Sequence, residues 1–95
     1  MEYTAEQLES EIVSLILGKS THCRARNDVG WITGNPCCVP WLQINITPCT
    51  PIIIFEPSPG KRISLTRLPK RAEMLLGIVH RPLFEIYKKY LEEAK

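Results

Sequence analysis

This chain has little aspartate, no close pair of carboxylates in its middle and no nucleotide-binding loop. These absences argue against several classes of enzyme. Asp28 is the single aspartate, and the middle of the chain has no close pair of carboxylates of the kind that general acid and base catalysis uses. Gly60-Lys61 invites comparison with a P-loop, but that motif needs a glycine where this chain has Phe55. The sequence therefore favours a protein that is not an enzyme.

The cysteines lack the spacing of a metal site. Cys23, Cys37, Cys38 and Cys49 would, with His22, supply enough soft ligands for tetrahedral zinc. Zinc ligands usually come two to four residues apart, whereas this chain has two adjacent pairs, His22-Cys23 and Cys37-Cys38, whose side chains would point to opposite faces of a strand. No local signature marks a catalytic thiol. We expect buried reduced thiols, no metal and no cofactor; zinc, a disulfide and a small thiol enzyme remain as alternatives.

The sequence also shows no pattern typical of a signal peptide or a membrane-spanning helix. The first residues are acidic and amphipathic, whereas a signal peptide has a basic start followed by an apolar run. The most apolar window, 39–55, contains three prolines together with Gln43, Asn45 and Thr47, which a spanning helix would not tolerate. We expect a cytoplasmic protein with no membrane partner.

The composition is that of one small globular domain. The chain has 95 residues, of which 44 % are hydrophobic and 23 % charged, as is ordinary for a folded protein. The net charge is only +2, but residues 1–18 carry four acids and no base, while residues 19–81 carry nine bases and three acids. We expect a single domain over residues 1–95, with a basic body and one acidic helix.

Helical periodicity marks both ends of the chain. Thr4 and Gln7 form a capping box ahead of an apolar stripe, which predicts a helix over about 5–17. After Pro69, apolar residues recur at steps of three and four almost to the C-terminus, and the stripe keeps its phase through Pro82. This pattern predicts one helix kinked at Pro82, or two helices that turn there and keep a common core face.

Short runs of β-forming residues lie between the helices. The predicted strands are residues 21–26, 29–33, 41–47, 52–56 and 61–66. Asn27-Asp28 and the Pro-Ser-Pro-Gly segment after the fourth run are typical of hairpin turns. The predicted fold is α+β, with an N-terminal helix, an antiparallel sheet of three to five short strands and a C-terminal helix kinked at Pro82. We expect the terminal helices to pack on one face of the sheet.

The main functional signal is a group of basic residues, named here the basic patch. Its members are Lys61, Arg62, Arg67, Lys70, Arg71, Arg24 and Arg26. Lys70 and Arg71 fall in the first turn of the predicted final helix, where cations oppose the helix dipole and a bound anion would offset the conflict. The patch predicts a non-enzymatic protein that binds nucleic acid or a phosphate-bearing ligand. A solvated basic surface without a ligand is the alternative.

A second hypothesis concerns the tryptophans. Trp41 alternates with Leu42 and Ile44, so the pattern leaves open whether its ring is in the core or exposed. An exposed ring there, beside the proline-rich segment, would anchor a partner protein. The chain would then be an accessory or inhibitor protein, for example of a mobile element or virus. Trp31 is expected in the core, and a homo-oligomer is left open.

Overall fold

The computed structural model describes residues 3–18, 23–34, 39–46 and 51–93, without the side chains of residues 23–25 and 51. In chain order, the elements are α1 (Ala5–Ile16), β1 (Cys23–Asn27), β2 (Gly30–Gly34), β3 (Trp41–Ile46), β4 (Pro51–Ser58), β5 (Lys61–Leu65), α2 (Lys70–Val79) and α3 (Arg81–Glu93). The α+β fold predicted from the sequence is confirmed, with both predicted hairpins present and the sheet at the upper end of the expected strand number.

The start of α1 follows from the predicted capping box. The Gln7 amide donates to Thr4 Oγ1 at 3.1 Å, and the Thr4 amide donates to Gln7 Oε1 at 3.0 Å. Two backbone donors that lack helical acceptors are thereby satisfied. The helix buries Ile12, Leu15 and Ile16 in its C-terminal half. Glu6 and Glu9 lie in its N-terminal half and are exposed or half-buried.

The sheet is a meander in which each strand pairs antiparallel with the next along the chain. Trp31, Ile44, Ile53 and Leu65 lie opposite one another in a row across four strands. Side chains on a strand alternate between faces, so this row shares one face. The first three residues belong to the core cluster that α1, α2 and α3 also enter, and Leu65 packs against it. The prediction that Trp31 is a core residue is confirmed.

Two helices, rather than one kinked helix, carry the C-terminal apolar stripe. They meet at His80, whose φ of −147° and ψ of 73° leave the helical region. Pro82 is the second residue of α3, where a missing N–H removes no intrahelical hydrogen bond. The core face continues across the turn because Leu76, Leu83 and Tyr87 are all buried. The structure thus has the second of the two predicted arrangements, and no kink within a single helix.

Candidate functional site

The structure divides the basic patch among three places. Lys61 and Arg62 begin β5, at one edge of the sheet. Arg26 lies in β1 at the other edge, about 19 Å away across five strands. Arg67, Lys70 and Arg71 lie together where the chain leaves β5 and enters α2. The side chain of Arg24 lies outside the described part of the chain. The seven residues therefore do not form one continuous site.

Arg62 is held by groups of its own sheet. Its Nε donates to Glu56 Oε1 at 2.9 Å, and its guanidinium lies 5.6 Å from the centre of the Trp41 ring. Trp41 is outside the main core cluster and yet only 7 % exposed. The partner-binding role of Trp41 stays a prediction, but most of its surface is covered within this chain.

Arg26 and Lys61 also contact other parts of the fold. The Arg26 guanidinium lies 5.4 Å from the centre of the Trp31 ring and donates to the carbonyl of Val79, at the end of α2. Lys61 Nζ lies 5.6 Å from the centre of the Tyr3 ring, just before α1. These two cations therefore help to join the sheet edges to the helices.

The N-terminus of α2 already has an anionic partner. The amide of Arg71 donates to Oε2 of Glu9, a residue of α1, at 3.1 Å. A carboxylate at this end of a helix is stabilised by the helix dipole, as a bound phosphate would be. A phosphate at this amide would have to compete with Glu9, although the side chains of Lys70 and Arg71 are exposed.

A hydrogen-bonded network joins the β5–α2 junction to both C-terminal helices. Arg67 donates through Nε to Glu73 Oε2 at 2.7 Å and through Nη2 to Oε1 at 3.2 Å. The Tyr87 hydroxyl also donates to Glu73, and it accepts the Leu68 amide at 2.9 Å. Burial and the hydrogen bond to Glu73 raise the pKa of Tyr87, and the same carboxylate raises the pKa of Arg67. Tyr87 therefore stays protonated and acts as a donor, and both carboxylate oxygens of Glu73 accept hydrogen bonds within the network.

An open groove of about 500 Å³ lies between α2 and α3, with this network as part of its lining. Its apolar surface comes from Met74, Phe84 and Leu91. Its charged rim is formed by Lys70, Lys88 and Glu92. The groove combines carbon-rich walls with a rim of mainly positive charge, which suits an amphipathic ligand.

Two apolar side chains of α2 are exposed to solvent, one of them inside the groove and the other beyond it. Met74 is 63 % exposed and lines the groove, whereas Ile78 is 78 % exposed and lies one turn further on, outside the groove lining. The two helices come together near their turn, where a Cβ on Gly77 would lie 3.1 Å from the Phe84 ring. The sequence held a signal for this groove that the basic residues obscured. Met74 is apolar, yet it falls outside the core stripe.

The turn between α2 and α3 is held by a buried histidine. His80 is 3 % exposed, and its Nε2 lies 2.9 Å from the carbonyl of Asn27 in β1. Its ring meets Trp31 edge-on at 5.7 Å, and its buried Nδ1 has no hydrogen-bond partner among the residues that the structure describes. Burial lowers the pKa of His80 and nearby Arg26 lowers it further, against opposing contributions from Asn27 and Asp28. The neutral ring with Nε2 as donor is the form that fits this site.

Comparisons with known proteins found no match, so the groove is interpreted from its own geometry. The chain matches no protein-family model, no curated protein and no solved structure. Among the described residues, no three histidine, cysteine, aspartate or glutamate side chains are grouped as a metal ion would require. No helix in the described ranges is long and apolar enough to cross a membrane. The interpretation of the four cysteines as structural thiols falls on side chains outside the described part.

Removal of the Tyr87 hydroxyl tests the network beside the groove. In Tyr87→Phe, the buried Leu68 amide loses its acceptor and Glu73 loses a donor. We expect the free energy of unfolding to fall by about 1–3 kcal/mol, because an unsatisfied buried donor is costly. Denaturant titration measures the loss, and Tyr90→Phe on the same helix is the matched control. Equal stability of Tyr87→Phe and wild type would show that the network does not stabilise the fold.

The buried histidine predicts a pH dependence of stability. Because folding lowers the pKa of His80 below its ordinary value of 6.5, the unfolded chain binds more protons there as the pH falls. The free energy of unfolding should therefore be highest above about pH 7.5 and decrease towards about pH 5.5. His80→Gln retains an amide donor for Asn27 and should show a smaller decrease. Denaturant titrations of both proteins at the two pH values check this, and parallel decreases would contradict it.

Proposed function

We propose that this chain is a non-enzymatic binding protein that takes a segment of a partner protein into the groove between α2 and α3. The observation that carries the proposal is the exposure of Met74 beside the half-buried Phe84 and Leu91, in a groove of about 500 Å³ with lysines on its rim. Exposed apolar surface with a polar rim is characteristic of interaction sites. Trp41, largely covered by its own chain, is replaced by the groove as the favoured contact surface.

The contacts of the basic patch support a protein partner over nucleic acid. Arg62 and Arg67 are ion-paired with carboxylates, and Arg26 is bound to a backbone carbonyl. Nucleic-acid affinity comes mainly from cations that neutralise phosphates and release counterions. Cations that already have partners in the fold contribute less to such binding. The apolar walls of the groove, in contrast, match the carbon-rich side chains of a protein segment.

Binding of nucleic acid or a phosphate-bearing ligand is the second candidate function. One observation favours it: Lys70 and Arg71 have exposed side chains at the N-terminus of α2, and Arg67 lies beside them. Backbone donors and cations at a helix N-terminus form a common setting for phosphate. Glu9 would compete for the Arg71 amide, so this candidate requires the carboxylate to move or to share it. A cytoplasmic location, expected from the sequence, stays a prediction under either function.

A peptide-display library tests the protein-binding proposal directly. Peptides selected on the wild-type protein should bind at least about tenfold more weakly to Met74→Lys, because a buried charge would face the apolar contact. Ile78→Lys is the matched control: it adds the same charge to the same helix outside the groove, and it should bind the peptides as wild type does. Selected peptides that bind Met74→Lys as tightly as wild type would place binding elsewhere and overturn the proposal.

A labelled oligonucleotide at two salt concentrations tests the second candidate. If Lys70 and Arg71 bind phosphate, the wild type should bind at low salt, and the affinity should fall steeply as salt is raised. The double variant Lys70→Glu, Arg71→Glu should then lose binding while its circular dichroism spectrum stays unchanged, since both side chains are exposed. No binding by the wild type at low salt, or equal binding by the variant, would contradict the nucleic-acid function.

A further inference from the structure

The length and shape of the groove select the secondary structure of its occupant. Along α3 its lining runs from Phe84 to Glu92, which is about 12 Å, or slightly more than two helical turns. A helix presents apolar residues at i, i+3 or i+4, and i+7 over a similar length. Two helices offer no strand edge with which the backbone of an extended peptide could pair, whereas a helix satisfies its own backbone groups. The groove therefore fits the apolar face of a helix.

The charge of the groove walls indicates which charges the polar face of that helix should carry. On α2 the acidic side chain, Glu73, is bound by Arg67 and Tyr87, so exposed Lys70 sets the sign of this wall. On α3, Lys88 and Glu92 both reach the rim. The rim charges that remain after the Arg67–Glu73 pair add up to a net positive charge. Acidic residues at the edges of an apolar stripe would complement it, and basic residues there would be repelled.

On its far side, Lys70 lies near acidic residues of α1. A second cavity, of about 340 Å³, lies between α1 and the start of α2 and is lined by Lys70 and Arg67 together with Glu6 and Glu9. The partner on that side is α1, an amphipathic helix whose apolar face enters the core and whose Glu9 binds the start of α2. The side of Lys70 towards α3 offers the same cationic edge next to apolar walls.

We propose that the occupant of the groove is an acidic amphipathic helix of the partner protein, an inference that rests on the proposed protein-binding function. Its apolar stripe would pack on Met74, Phe84 and Leu91, and its carboxylates would face Lys70 and Lys88. It would lie against the C-terminal helices much as α1 lies against the start of α2.

The probe for this proposal is a synthetic peptide of roughly 16 residues, about 24 Å long as a helix. It carries leucines at helical spacing, glutamates on both sides of the leucine stripe and a fluorescent label. Two control peptides are a scrambled version of equal composition and a version with lysine in place of each glutamate. We expect only the acidic amphipathic peptide to bind the wild-type protein with a measurable change in fluorescence anisotropy.

Matched variants locate the binding and test its charge dependence. Lys88→Glu should weaken binding of the acidic peptide about tenfold or more, because it reverses a rim charge. Lys89→Glu changes the net charge equally at an exposed neighbour outside the groove lining, and it should leave the affinity within about twofold. Met74→Lys should abolish binding. Circular dichroism and denaturant titration establish that each variant is folded.

The possible outcomes separate this proposal from the function on which it rests. If display-selected peptides bind in a Met74-dependent way and the acidic helix does not bind, the occupant is wrong and the protein-binding function stands. If neither binds, both fail. Equal binding of the lysine-substituted peptide, or equal loss in Lys88→Glu and Lys89→Glu, overturns the charge argument. A dimer of the protein alone that Met74→Lys dissociates in sedimentation would assign the groove to a second copy and overturn the proposal.

Discussion

The hydrogen bonds of the Tyr87 hydroxyl are the contacts on which the C-terminal half of the structure depends. The hydroxyl is carried by α3, accepts the amide of Leu68 in the connection between β5 and α2, and donates to Glu73 in α2. One side chain thus joins this connection to both helices. It also binds Glu73 together with Arg67, so one of the two acids in the groove lining is paired within the fold, whereas Glu92 lies on the rim. The network therefore helps to hold α2 against α3 and lowers the negative charge that the groove presents.

Internal pairing of charges decides which parts of the surface can serve a partner. Three arginines of the basic patch are used within the fold: Arg62 contacts Glu56, Arg67 contacts Glu73, and Arg26 caps the end of α2. Lys70 and Lys88 lie on the rim of an apolar groove, where Lys88 Nζ is 5.5 Å from the centre of the Phe84 ring. Because the walls of this groove are mainly apolar, we propose a protein segment as its ligand in preference to a phosphate backbone.

Local pattern predicted most of the fold because the interactions that determine it are local. The capping box at Thr4 fixed the start of α1, and β-forming residues at alternating positions located β3. The C-terminal stripe kept its phase across the turn, but the break came at His80 and not as a kink at Pro82. A proline early in a helix costs no hydrogen bond, so its presence alone did not locate the break.

The sequence by itself determined the helical ends of the chain, the strands between them, their order, the core stripes of the helices and the surplus of positive charge in the middle of the chain. Only the tertiary structure decided which cations are paired and where an apolar surface stays open. The physical reason is separation along the chain: Glu9 and Arg71 are 62 residues apart, and His80 and Asn27 are 53 apart. The groove likewise combines Met74 of one helix with Leu91 of another. Periodicity reports the face of each element, whereas packing between elements decides which faces remain for a partner.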